Sequence, residues 1–152
     1  MVKAGAAEQS EVGLDVGATL AKIARRTPGD GADPHFELLP SSDLEVVASH
    51  VRGLWPTRVG LTGGGAAQLE DRLGCEAHRI GEFDAWGVGA SHLLGGEGGT
   101  EGTRPAPGES FLLVSLGTGT SILLVDAPKT TRVGGTALGG GVVVGLGGAP
   151  AW

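Results

Sequence analysis

Asp15 and Lys22 flank a turn of small residues, Gly17-Ala18-Thr19, at the end of the apolar run Val12 to Val16. A carboxylate, an ammonium and bare backbone N–H groups gathered at a strand end are the ingredients of an anion site. The pattern recurs about a hundred residues later, where Gly117-Thr-Gly-Thr-Ser121 follows the apolar run Phe111 to Leu116. Glycines let the backbone approach an anion closely, and the hydroxyls add donors. A third glycine-rich stretch, Gly134 to Gly141, lies beyond it. Two such loops in one chain point to a clamp for nucleotide phosphates.

The elements that must position these loops read as alternating strands and helices. Val12 to Val16 and Leu20 to Arg25 form strands joined by the first turn as a hairpin, and His35 to Leu39 supplies a third strand. Leu44, Val47, Ala48, Val51 and Leu54 follow helical spacing, with Ser41 or Ser42 as the N-cap and Trp55-Pro56 as the stop. Arg58 to Thr62 is a strand that runs into Gly63-Gly64-Gly65. A short helix, Ala66 to Leu73, ends at Gly74, and Ala77 to Ile80 is a further strand. Glu82 to Leu94 is a helix weakened at Gly87 and Gly89, and Gly95 to Glu109 is a flexible surface loop. Strands Ser110 to Leu116, Thr120 to Val125 and Thr130 to Val133 follow. A helix then starts at Leu138 and is broken by Gly147, Gly148 and Pro150.

Composition narrows the classes. The 30 glycines and 8 prolines make up a quarter of the 152 residues, yet apolar residues reach 40% and fall in runs, so the chain has a core. With three Phe, three Trp and no Tyr, that core is built from Val, Leu, Ile and Ala, which implies modest stability. A net charge of −6 argues against nucleic acid or an anionic membrane as the main partner. The lone Cys75 has no internal disulfide partner and fits a reducing compartment. The segment Met1-Val-Lys-Ala-Gly5 lacks a signal peptide's apolar stretch, and no run reaches transmembrane length, so a cytoplasmic protein is expected. His78 and His92 lack metal-ligand spacing, and no serine sits in a nucleophile elbow.

Leu61-Thr62-Gly63-Gly64, Glu82-Phe83-Asp84-Ala85, Leu116-Gly-Thr-Gly-Thr-Ser121 and Arg132-Val133-Gly134-Gly135 stand in an order and spacing that resemble the type II pantothenate kinases. That family belongs to the superfamily of actin, sugar kinases and heat-shock chaperone ATPases. The resemblance implies an α/β fold: a ribonuclease-H-like, actin-like ATPase lobe with a mixed five-stranded sheet and flanking helices, followed by the first hairpin of a second lobe. Residues 12–109 would be the first lobe and 110–152 the start of an incomplete second one.

The same resemblance implies roles. Asp15 would hold the Mg2+ of ATP through water, as suits a cation reluctant to lose its hydration shell. Gly17, Ala18, Thr19 and Lys22 would face the phosphates on one side, and Gly117, Thr118, Gly119, Thr120 and Ser121 on the other. Ala18 stands where the family commonly has Gly, and a positive φ there would cost ~1 kcal/mol. Glu82 would be the catalytic base for the hydroxyl of pantothenate. Asp84, two residues on, does not share its helical face and is read as structural. Arg132 would contact pantothenate or acyl-CoA, with Gly134, Gly135, Gly140 and Gly141 (and Gly139 beside them) as a glycine-rich substrate wall; Val142 and Val143 depart from the family there. CoA or acyl-CoA as inhibitors and a homodimer follow as expectations. Taken one at a time, Asp15 is also a turn cap, Lys22 a solvated lysine, Glu82 a first-turn acid and Arg132 a surface arginine. Two other readings stay open: a non-catalytic remnant of such a kinase, and a sugar kinase or activator ATPase of the same superfamily.

Overall fold

Alternating burial along Ser10–Val16 (β1) puts Val12, Leu14 and Val16 into the interior, and leaves Gly13 and Asp15 on the other face. The computed structural model of the chain describes residues 10–27, 34–95 and 109–148. β1 turns back into Leu20–Arg26 (β2), antiparallel with Asp15 opposite Lys22, and His35–Pro40 (β3) extends the sheet beside β2. Leu44–Gly53 (α1) crosses over to Pro56–Thr62 (β4), which runs parallel to β1. Ala66–Leu73 (α2) then leads to the two-residue strand His78–Arg79 (β5), parallel to β4. The result is the expected mixed five-stranded sheet, in the order β3-β2-β1-β4-β5.

The core of this part lies between one sheet face and the two helices. Val12, Leu14, Val16, Ala21, Ile23, Val59 and Leu61 meet Val47, Ala48 and Val51 of α1 and Ala66, Leu69 and Leu73 of α2. It is aliphatic throughout, as the composition requires. The N-cap of α1 is Asp43 rather than Ser41 or Ser42. Its carboxylate accepts the N–H groups of Glu45 at 3.0 Å and Val46 at 3.2 Å. Of three adjacent capping residues, the charged one is favoured where helix N–H groups converge. Ser41 is committed elsewhere: its N–H donates to Thr19 C=O at 3.0 Å, tying the end of β3 to the first hairpin turn. Gly74 closes α2 in the left-handed region at φ 66°.

The contacts divide the chain between Gly81 and Glu82. The second unit holds Glu82–Gly95 (α3), a three-stranded antiparallel sheet of Phe111–Leu116 (β6), Thr120–Asp126 (β7) and Lys129–Thr136 (β8) in that order, and Gly140–Gly147 (α4). α3 falls within the 12–109 lobe of the sequence reading, but in the structure it packs on β8. Gly87 makes that approach possible, because a Cβ there would run into the Thr130 side chain. Phe83 and Trp86 meet edge to face on the same helix, with centroids 6.0 Å apart. β8 outruns the expected Thr130–Val133 because β7 pairs with it from Thr120 to Asp126, with a bulge between Ile122 and Leu123. Leu123 and Val125 are buried on one sheet face, whereas Leu112, Val114 and Leu116 are exposed on the other. α4 starts two residues later than expected, because Thr136 Oγ1 accepts the Leu138 N–H at 3.1 Å. The expected loop from Gly95 to Glu109 lies mostly outside the described residues. No helix among the described residues is long and apolar enough to cross a membrane.

Candidate active site

In the first unit the β1–β2 turn is closed by the Gly17 N–H donating to Leu20 C=O at 3.0 Å. Among the described residues, the N–H groups of Ala18 and Thr19 have no backbone acceptor, and both residues are exposed. Ala18 carries no positive φ; Trp55 is the one non-glycine residue in that region among those described. The alanine is therefore unstrained, and the turn needs no glycine at this position.

Asp15 and Lys22 face each other across the hairpin, Nζ lying 2.6 Å from Oδ2. The Asp15 side chain is only 17% exposed and Lys22 is 55% exposed, so the carboxylate is held inward and the ammonium reaches out. Gly63, just past the end of β4, lies against the other carboxylate oxygen, Oδ1. No group of three or more metal-ligating side chains occurs among the described residues. A single carboxylate is too little to cage a cation. It does fit Mg2+, which keeps most of its waters and takes its remaining ligands from phosphates.

In the second unit the β6–β7 turn repeats the arrangement. The Gly117 N–H donates to Gly119 C=O at 2.9 Å, and the N–H groups of Thr118 and Gly119 have no backbone acceptor among the described residues. The start of α4 is seated on this turn: Gly140 N–H donates to Gly117 C=O at 2.8 Å and Gly141 N–H to Thr118 C=O at 3.1 Å. A Cβ on Gly139 would stand 2.7 Å from Gly119 Cα, and one on Gly141 2.9 Å from Thr118 O. Gly139, Gly140 and Gly141 thus back the second turn directly. The N–H groups of Gly140 and Gly141 point onto it, and the missing side chains of Gly139 and Gly141 let helix and turn close together. Thr120 Oγ1 donates to Leu138 C=O at 2.6 Å, which ties β7 to the same connection.

Arg132 stands on β8 opposite Leu123, exposed, with no acidic partner among the described residues. Its guanidinium lies over Gly135, whose φ of 155° and contact with Thr120 O exclude a side chain. Ser121 is directly opposite Gly135 in register, so Arg132, Gly135 and Ser121 form one cluster. Gly134 has room for a Cβ, 3.6 Å from Ile122 Cδ1, and packing does not demand glycine there. Glu82, half-buried, is the first residue of α3. Two residues upstream, the Ile80 backbone is pinned to β4: Thr62 Oγ1 donates to Ile80 C=O at 2.9 Å and Ile80 N–H to Leu61 C=O at 2.8 Å.

The predicted residues therefore gather as Asp15 with Lys22 beside the first turn, and as the second turn with Gly139 to Gly141, next to Arg132, Gly135 and Ser121. The pairing of Asp15 with Lys22 follows from the hairpin register, which the three-residue turn sets. The seating of α4 on the second turn has no signal in the local pattern beyond its glycines.

Comparison with known proteins agrees with this geometry. The Fumble family model matches residues 35–149. The type II pantothenate kinase of Staphylococcus saprophyticus is 31% identical over 90% of this chain and 48% of its own length. That of Oceanobacillus iheyensis is 34% identical over 90% of this chain and 47% of its own. The chain thus spans about half the length of the curated relatives it matches. Among solved structures, glucokinase from Balamuthia mandrillaris aligns with a TM-score of 0.52 at 16% identity, over 83% of this chain and 48% of that one. MreB 5 of Spiroplasma citri aligns with 0.51 at 11%, over 88% and 54%. At such identities they show the fold alone, that of the actin-like ATPases and sugar kinases. With the family model spanning α1 to α4 and the sheet order of that fold beneath it, this chain belongs to the Fumble family, in which it resembles the type II pantothenate kinases.

Proposed function

We propose that the chain carries the phosphoryl-transfer machinery of a pantothenate kinase, acting in the cytoplasm on ATP and pantothenate. The observation that carries this reading is the pair of turns with open N–H groups, one of them flanked by the Asp15–Lys22 pair, in a chain whose relatives bear that name. Pantothenate's primary hydroxyl would attack the γ-phosphorus as the bond to the bridging oxygen breaks and ADP leaves. Glu82 takes the hydroxyl proton. The N–H groups of Ala18, Thr19, Thr118 and Gly119, with Lys22, hold phosphate oxygens as charge spreads over them. Asp15 would hold Mg2+, and the ion would supply charge neutralisation to the phosphates. Arg132 offers paired donors to the carboxylate of pantothenate. CoA or acyl-CoA, which share the pantothenate moiety, would compete at Arg132, and the active assembly would be a homodimer.

A second reading rests on length. Because the chain spans half of its curated relatives, it supports nucleotide binding without turnover if the other half completes the pocket. ADP release from Mg-ATP, measured with pantothenate and with glucose as acceptors, separates the readings. Release with pantothenate alone supports the kinase, release with glucose alone supports a sugar kinase, and binding without release supports the second reading.

A further inference from the structure

Thr62-Gly63-Gly64-Gly65 has no part in the chemistry above, yet it wraps the end of β1 where Asp15 stands. The Gly65 N–H donates to Val16 C=O at 3.0 Å, and a Cβ on Gly65 would press on Val16 Cγ1. Gly63 adopts φ 88°, and a Cβ built on it would come 2.6 Å from Val16 O and 2.7 Å from Asp15 Oδ1. Gly64, its neighbour, has nothing within 4 Å of its own Cβ position and an ordinary φ. Gly63 and Gly65 both exclude a side chain, and of the two only Gly63 lies against the carboxylate. Lys22 holds Oδ2 on the opposite side, so Asp15 is fixed between an ammonium and a bare Cα.

From these contacts we infer that Gly63 is a positioning residue for the Asp15 carboxylate, setting how it presents itself to a divalent cation. This rests on the reading of Asp15 as the carboxylate for Mg2+. A methyl group at 63 displaces Oδ1, and a displaced carboxylate loses its geometry toward the metal's water shell while the nucleotide keeps its N–H contacts. Gly63 acts on the metal and not on the nucleotide.

The test is a titration of the full chain with Mn2+ in the presence of ADP, with free Mn2+ followed by electron paramagnetic resonance and metal-free ADP binding measured by calorimetry. Gly63→Ala weakens Mn2+ binding about tenfold, leaves metal-free ADP binding unchanged, and has no further effect in an Asp15→Asn background. Gly64→Ala behaves as wild type. Equal losses in Gly63→Ala and Gly64→Ala, or a loss that persists with Asp15→Asn, overturn the inference. If Gly63→Ala does not fold, Gly63→Asn carries the same Cβ on a residue that tolerates positive φ, and wild-type Mn2+ binding in that folded variant overturns the inference. A wild-type chain that binds ADP but takes up no Mn2+ overturns the assignment of Asp15, and this inference with it.

Discussion

Lys22 Nζ sits 2.6 Å from Asp15 Oδ2, on the neighbouring strand and directly opposite in register. With the lysine more than half exposed, the pair adds little to stability, and Lys22→Ala should change unfolding free energy by less than about 1 kcal/mol. Its value would lie in the phosphates that the lysine meets when nucleotide binds. Calorimetry of Lys22→Ala should therefore show weaker Mg-ATP binding, by about tenfold, in a protein with a nearly unchanged melting temperature. A fall in stability without a fall in affinity would make Lys22 a structural residue.

Gly139 and Gly145 form a matched pair. A Cβ at 139 meets the backbone of Gly119 and Thr118, which cannot swing aside, whereas one at 145 meets nothing within 4 Å. Gly139→Ala should destabilise the chain by about 1–3 kcal/mol, in the manner of an overpacked site. Gly145→Ala should stabilise it by about 0.5–1 kcal/mol, as alanine does inside a helix. Urea denaturation of the two variants measures both, and equal effects would remove α4 from its seat on the second turn.

Asp43 is the cap of α1. Asp43→Ala should cost about 1 kcal/mol, and Ser42→Ala should cost much less. Thermal melts of the two decide between them.

Much of the first unit was legible in the sequence, because its signals are local. Gly74 ends α2 where the pattern placed its end, since only glycine adopts that left-handed cap without strain. The hairpin of β1 and β2 follows from apolar runs on both sides of Gly17-Ala18-Thr19. The N-cap is ambiguous in the sequence because Ser41, Ser42 and Asp43 all bear capping side chains, and only the backbone path of β3 into Thr19 removes Ser41. In the second unit the non-local contacts were hidden. Gly87 reads as a weak point in a helix and is in fact the site where Thr130 of β8 enters. Gly134 and Gly135 have poor strand propensity, and pairing with β7 overrides it. For Gly89 the structure offers no packing reason.

Of the site itself, the two turns could be read from residue types, and the pairing of Asp15 with Lys22 follows from the register of the first hairpin. The backing of Gly117–Gly119 by Gly139–Gly141, and of Asp15 by Gly63, could not, because each joins segments whose meeting depends on the whole fold.

The proposed reaction, phosphoryl transfer to pantothenate with Glu82 as the base, is open to direct assay. Incubation of wild type and Glu82→Gln with Mg-ATP and pantothenate, with 4′-phosphopantothenate detected by mass spectrometry, tests it most directly. Product is expected with wild type, and a loss of at least about a hundredfold with Glu82→Gln. Folded wild-type protein that makes no product, or a Glu82→Gln variant as active as wild type, would contradict it.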